Sequence, residues 1–338
     1  MLKSRRYWIG LGVSAFFIAL LLWRTPFREV MSSLRQANYA WVIPAVAVYL
    51  LSVGIRAVRW RFLLRSIRDI HPAGLFPVMM IGYMANNVLP ARAGEVVRAY
   101  VLGHKYHVSK MAGFGTIAVE RLFDGLTLLA MLLGAALVVG VNGVLRDLLL
   151  VTLPIFAVAL CVFLFVIVSP TRSRTFASLG VRLLPHRFHD EGERLAHSFL
   201  DGLGALRGSG GLAAVVLTSG TAWLLEAVVY ALMGHGFGFH LGFAYYVLAV
   251  AAGNLAITAP SSQGGVGPFE FFVRTAITFG GVGAASATAY SFAAHFVILG
   301  PATVLGLFFL WTTDLSLGSL WKRSREKEPV AEEAVAGR

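Results

Sequence analysis

The chain has 338 residues, 57% hydrophobic and 14% charged, with a formal net charge of +12 and a mean hydropathy of +0.72. That balance excludes an ordinary soluble domain, and basic residues scattered between apolar runs exclude a nucleic-acid surface gathered on one domain. Cys161 is the only cysteine and lies in an apolar run, which excludes a disulfide framework and a thiolate metal site.

An apolar helix of roughly 20 residues spans a hydrocarbon core about 30 Å thick. Full spans are expected at 7–23, 40–57, 111–140, 148–169, 212–234 and 286–312. The first follows a basic head like that of a signal peptide. However, Trp23, Arg24, Thr25 and Pro26 stand where small cleavage-site residues belong, so it reads as an uncleaved span. Two more apolar regions, 73–103 and 242–280, are interrupted near their middles by Pro and Gly.

Basic residues collect in the head (Lys3, Arg5, Arg6), from Arg56 to Arg68, from Arg98 to Lys110, in a linker from Arg172 to Arg207, and from Lys322 to Arg325. The turns 141–147 and 235–241 are neutral. The positive-inside rule places the basic set in the cytoplasm. This requires 73–103 to enter and return on that side and 242–280 to enter and return on the other. Only 24–39, with Arg24, Arg28 and Arg35, then falls outside with net positive charge. The expected fold is an all-α polytopic membrane bundle, a single transmembrane domain over 1–315. Two re-entrant helical hairpins lie in inverted repeats at about 40–140 and 212–312, joined by a linker at 170–210. A disordered cytoplasmic tail follows at 316–338. The expected location is a bacterial cytoplasmic (inner) membrane, with both termini in the cytoplasm.

The two interruptions are NNVLPARAGEVVRAY, residues 86–100, and NLAITAPSSQGGVGPFEFF, residues 254–272. Each runs Asn, Pro, Gly, Glu: Asn87, Pro90, Gly94, Glu95 against Asn254, Pro260, Gly267, Glu270. Glu95 to Glu120 and Glu270 to His295 share a spacing of 25. Backbone freed by Pro and Gly within lipid must be satisfied by protein or by water in a cavity. Pro268 suits the first position of a helix with Gly267 as its cap. A second half-helix starts near Ala93. Two helix N-termini meeting near the midplane, with Gly264, Gly265 and Gly267 permitting close approach, form an anion site, and Arg92 adds a full positive charge. The plainer readings are a cytoplasmic loop in which Glu95 and Arg98 form a surface pair, and an ordinary tight connection at 260–268.

VERLFDG, residues 119–125, places Glu120, Arg121 and Asp124 inside a long span, with the two acids on one face. A charge at that depth costs about 2.5–3.5 kcal/mol, so these groups are paired or face a cavity. Pairing with Arg121, Arg92 or Arg98 and a transport or proton role stand side by side. Glu226 reads as structural and His295 as a packing histidine. No His, Glu or Asp constellation has metal spacing, and no cofactor is expected. Ser261 or Ser262 could serve as a nucleophile, but no base is assigned near them.

NNVLPARAGEVVRAYVL, VERLFDGLTLL and PSSQGGVGPFE together resemble the signature blocks of the flippase-like family related to the transmembrane region of lysylphosphatidylglycerol synthases. The resemblance covers about residues 10–315. It implies a bundle with re-entrant helices around a central cavity, and movement of a lipid between leaflets. It carries site roles onto Asn87, Pro90, Arg92, Gly94, Glu95, Arg98, Glu120, Arg121 and Asp124. In the third block, Gln263 replaces a proline frequent in the family. Family substrates include aminoacylated phospholipids, hopanoids and polyprenyl-linked glycans. After Asp314 only 24 residues remain, too few for a soluble aminoacyl-transferring domain, so a standalone membrane part is expected.

The leading expectation is a flippase or transporter for an anionic lipid of phospholipid, hopanoid or polyprenyl-phosphate type. Asn254, Ser261, Ser262 and Glu270 complete its candidate substrate site with the three turn glycines. The alternatives are an intramembrane enzyme acting on a lipid phosphate, with Glu95, Glu120 or Asp124 as base, and a scaffold subunit beside a lipid-synthesising enzyme. No GxxxxGK[ST] motif occurs, so transport would run passively, on ion coupling or on downstream consumption of the lipid.

Overall fold

The computed structural model describes residues 5–23, 25–89, 93–169, 181, 189, 192–193, 209–257 and 263–313. Pro90, Arg92, Pro260, Ser261, Ser262, most of the expected linker and the expected tail lie outside the described residues. Among the described residues every regular element is helical: α1 (Arg5–Leu22), α2 (Phe27–Gln36), α3 (Val42–Leu64), α4 (Pro72–Val88), α5 (Gly94–Tyr106) and α6 (Lys110–Val139). Then follow α7 (Gly143–Val168), α8 (Ser209–Gly236), α9 (Phe243–Ala256), α10 (Pro268–Phe279) and α11 (Ala284–Trp311).

Five of these helices are long and apolar enough to cross a membrane: Tyr39–Leu64, Lys110–Val139, Gly143–Phe165, Gly210–Gly236 and Ala284–Trp311. The chain is thus an all-α polytopic bundle. Both interrupted regions do break, 73–103 into α4 and α5, and 242–280 into α9 and α10. The segment 24–39, which fell outside the expected spans, holds α2, which turns 86° away from α1. The larger departure is α3. It runs seven residues past the expected end at 57, to Leu64. Arg56 and Arg59, expected in a cytoplasmic basic stretch, are therefore inside the bundle and 6% and 0% exposed.

Local chemistry explains the breaks. His71 Nδ1 accepts from the N–H of Ala73 at 3.3 Å and Pro72 occupies the first turn, which starts α4. Ser109 caps α6. Before α10, Gly264, Gly265 and Gly267 have φ of 69°, 78° and 103°, a left-handed path that suits glycine.

Packing then places the site. α3 lies against α8, α4 against α11, and α9 against α6, while α4 packs on α5 and α9 on α10. Close approach within the two short pairs rests on glycine. A Cβ at Gly94 would collide with the Gly82 carbonyl and Asn86, and one at Gly253 would come within 2.7 Å of Val273. α1 covers the second turn, where Ser14 Oγ donates to Val266 O at 2.6 Å and Phe17 packs on Phe271 at 5.2 Å. α7 leaves Val151, Ile155, Val158 and Val162 more than half exposed, as a lipid-facing helix should.

Candidate functional site

A cavity of about 480 Å³ opens between the packed helices. Its walls come from both halves of the chain: Arg56, Asn86, Glu95, Arg121 and Asp124 on one side, Asn254, Gly264, Gly265, Phe269 and His295 on the other.

The first wall is a network of guanidinia and carboxylates. Arg98 grips Glu120 with two hydrogen bonds of 2.8 and 2.7 Å. Arg59 donates to Asp124 at 2.7 Å and to Ser219 Oγ at 2.9 Å, and lies 3.4 Å from Glu120. Arg121 reaches Glu120 at 3.0 Å and Asp124 at 3.6 Å. Trp223 Nε1 donates to Asp124 at 2.9 Å. Arg98 stacks over Trp60 at 3.6 Å and Arg56 over Trp223 at 4.1 Å, which suits delocalised cations drawn out of water. Next to this network, Arg56 pairs with Glu226 at 2.6 Å. Buried ions survive only when paired and hydrogen-bonded, and α6 and α8 supply those partners to the arginines of α3.

Within the network three guanidinia, Arg59, Arg98 and Arg121, meet two carboxylates, Glu120 and Asp124. Arg121 is the member of the network at the cavity surface, which it shares with Glu95. The Arg121 side chain is 37% exposed, against 0% for Arg59 and 3% for Arg98. Arg121 Nε and Tyr83 Oη are buried without a hydrogen-bond partner among the described residues.

The second wall is chemically different. Glu270 Oε1 lies 2.6 Å from His295 Nδ1, the imidazole stacks on Phe269 at 3.9 Å, and Glu270 Oε2 accepts from the N–H of Gly267 at 2.6 Å. Neither residue meets a guanidinium among the described ion pairs.

Of the residues singled out in the sequence, Asn87, Glu95, Arg121, Asp124, Asn254, Gly264 and Gly265 line the cavity, and Arg98 and Glu120 lie behind it. Gly94, Gly267 and Glu270 stand at the two helix starts. The plainer reading, a surface pair of Glu95 with Arg98, does not hold, because Arg98 is committed to Glu120. The helix starts are also not bare positive ends. Asn86 Oδ1 accepts from Gly94 N at 2.8 Å and Glu270 from Gly267 N, so each start is capped and carries an acid in its first turn. Asn87 instead ties α4 to α11, donating to Thr303 Oγ1 at 3.0 Å. Sequence reasoning missed Arg56, Arg59, Tyr83 and Asn86 as site residues. The available signal was Arg56 and Arg59, one turn apart and followed by Trp60, in a run that stays apolar to Leu64.

The family model for the lysylphosphatidylglycerol synthase TM region matches residues 7–306. The match is to the membrane region of the synthase and to no separate catalytic domain. A protein named glycosyltransferase AglD, from Haloferax volcanii, is 29% identical over 94% of this chain and 56% of its own length. A UPF0104 membrane protein of Methanothermobacter thermautotrophicus is 31% identical over 28% of this chain and 29% of its own. One from Methanocaldococcus jannaschii is 27% identical over 36% of this chain and 38% of its own. The chain thus spans little more than half the length of the first of these relatives, and less of the others. No solved structure matches.

Proposed function

We propose that this chain, which belongs to the family of the lysylphosphatidylglycerol synthase TM region, moves an anionic lipid between the leaflets of the cytoplasmic membrane. The head group passes through the central cavity. One observation carries the reading: a guanidinium, Arg121, faces a polar cavity inside an apolar bundle. A phosphate there takes the forked, charge-assisted hydrogen bonds that a guanidinium offers. Asn86, Asn87 and Tyr83 add neutral polar groups to the same surface. Arg92, Ser261 and Ser262, which lie outside the described residues, join the proposed site on the strength of the sequence motifs alone.

The helix pairs α4–α5 and α9–α10 are read as re-entrant hairpins, and 40–140 and 212–312 as inverted repeats within one domain. In support, Ser52 bonds Ala222, and Arg56 bonds Glu226, across the same separation of 170 residues. Equivalent residues touch in this way where a twofold axis passes between two segments. Trp60 and Tyr230 stand at matching positions, and each is tied to the next long helix, Trp60 to Thr116 at 3.1 Å and Tyr230 to Tyr290 at 2.8 Å. The partial match to a protein named a glycosyltransferase fits a membrane part that works beside a lipid-modifying enzyme.

Lipid binding to detergent-solubilised protein tests the reading. Arg121→Ala leaves Arg59 and Arg98 to balance Glu120 and Asp124, so the fold should tolerate it. Phosphatidylglycerol binding should weaken by about 1.5–3 kcal/mol, the range for a hydrogen bond to a charged group. Arg121→Lys should recover only part of this loss. Equal binding of phosphatidylglycerol and phosphatidylcholine, unchanged in Arg121→Ala, would refute it.

A further inference from the structure

We infer that Glu270 and His295 form a proton-binding site in the cavity wall, and that the protein binds a proton together with its lipid. This rests on the anionic-lipid reading above. The pair is 1% and 5% exposed, its Nδ1 to Oε1 distance is 2.6 Å, and His295 and the Phe269 ring stacked on it both line the cavity. Imidazole is the side chain that ordinarily gains and loses a proton near neutral pH. Nδ1–H can donate to the carboxylate whether the ring is neutral or charged. Proton uptake therefore turns the pair from net negative to neutral while its hydrogen bond stays in place.

The groups around the pair do not offer the same change. From α3, Arg56 is permanently charged and bound to Glu226 of α8; from α6, Arg121 and Asp124 belong to the guanidinium network. Tyr49 of α3, Tyr83 of α4, Tyr230 of α8 and Tyr290 of α11 carry phenols, a group whose ordinary pKa lies far above that of imidazole. α9 presents Asn254, and α1 meets α10 through Ser14 and Phe17, none of them ionisable. On α10 itself, Arg274 donates to Leu21 O. The charged residues of α2 are exposed near the start of α11, where Ser33 meets Ser286. Glu95 of α5 is the one other acid on the cavity outside the guanidinium pairs, and Asn86 holds it at 3.4 Å.

A negative pair beside the cavity opposes an anionic head group, and a neutral pair does not. Proton and lipid therefore favour each other, and by linkage the effect is reciprocal: a bound anionic lipid raises the proton affinity of the pair. Glu270 carries the change into the backbone, because its second oxygen holds Gly267 at the glycine turn.

The experiment titrates the 338-residue chain in detergent with short-chain phosphatidylglycerol between about pH 5.5 and 8.5, the range that an imidazole crosses. Phosphatidylcholine serves as the zwitterionic comparison. Phosphatidylglycerol affinity should fall with rising pH by no more than about tenfold per pH unit, the limit for one linked proton. Adding the lipid in weak buffer should take up protons, read with an indicator dye. His295→Asn keeps an N–H for Glu270 and should bind with a flat pH profile and no proton uptake. Glu270→Gln, which keeps an oxygen for Gly267, should do the same if the first variant fails to fold. Tight, pH-independent binding by the unaltered protein would overturn the proton site and leave the lipid reading standing. A pH slope that survives in His295→Asn and disappears in Glu95→Gln would also overturn it. No phosphatidylglycerol binding at any pH would overturn both.

Discussion

Along the wall built by α3, α5 and α6, five side chains of opposite charge pair with one another: Arg59, Arg98, Arg121, Glu120 and Asp124. Along the wall built by α10 and α11, one carboxylate meets one imidazole and a backbone N–H. Glu270 and His295 are 25 residues apart, the same spacing that separates Glu95 from Glu120 in the first half. One framework thus carries two kinds of chemistry. Guanidinium cannot give up its proton, so the first wall fixes charge in place and offers it to an anion. Imidazole can, and the proton site proposed above rests on that difference.

The proposed inverted relation of the two halves should give an all-or-none result in topology. After replacement of the exposed Cys161, single cysteines in place of Val144 and His240 should react with an impermeant thiol reagent from one side of the membrane. A cysteine in place of Asp190 should react only from the other. Labelling of all three from one side would remove the inverted relation.

The next largest effect separates the walls by stability. Glu120 is touched by three guanidinia, so Glu120→Ala should cost about 3–5 kcal/mol, the range for breaking a buried ion pair from one side. Thermal melting in detergent measures it. Arg56→Met and Glu226→Met should each cost a similar amount, but the double variant should recover most of the loss, because no charge is then left buried alone. Additive losses would mean that the two side chains act independently.

Smaller effects belong to the second wall and the surface. Glu270→Gln keeps an acceptor for Gly267 and should lower stability by no more than about 1 kcal/mol, the usual worth of a helix cap. A loss as large as that of Glu120→Ala would make the second wall another fixed pair. At the surface, Arg61 bonds Asp69 and holds its carboxyl below the ordinary value. Any stability from that pair is present above the unfolded pKa and lost as pH falls through the lowered folded one. Both side chains are exposed, so Asp69→Asn should melt like the parent protein at neutral pH.

The long helices and both interruptions could be read from the sequence because apolar length and Pro or Gly breaks are local properties. The 25-residue spacing of Glu270 and His295 was also visible, and the structure joins them. The arginines of α3 could not be read in the same way. Their burial depends on acids supplied by α6 and α8, so counting charge along the chain assigned Arg56 and Arg59 to the cytoplasm. Asn86 shows the same limit at short range. It caps Gly94 from eight residues away, on the preceding helix, whereas its neighbour Asn87, the residue carried by the motif, turns to α11.

The most direct measurement is leaflet exchange in proteoliposomes, using phosphatidylglycerol or phosphatidylcholine labelled on an acyl chain and a reductant that reaches only the outer leaflet. The unaltered protein should expose inner-leaflet phosphatidylglycerol to the reductant much faster than phosphatidylcholine, and Arg121→Ala, folded and inserted, should lose that difference. Exchange that ignores the head group, or that persists unchanged in Arg121→Ala, would contradict an anionic lipid passing through this cavity.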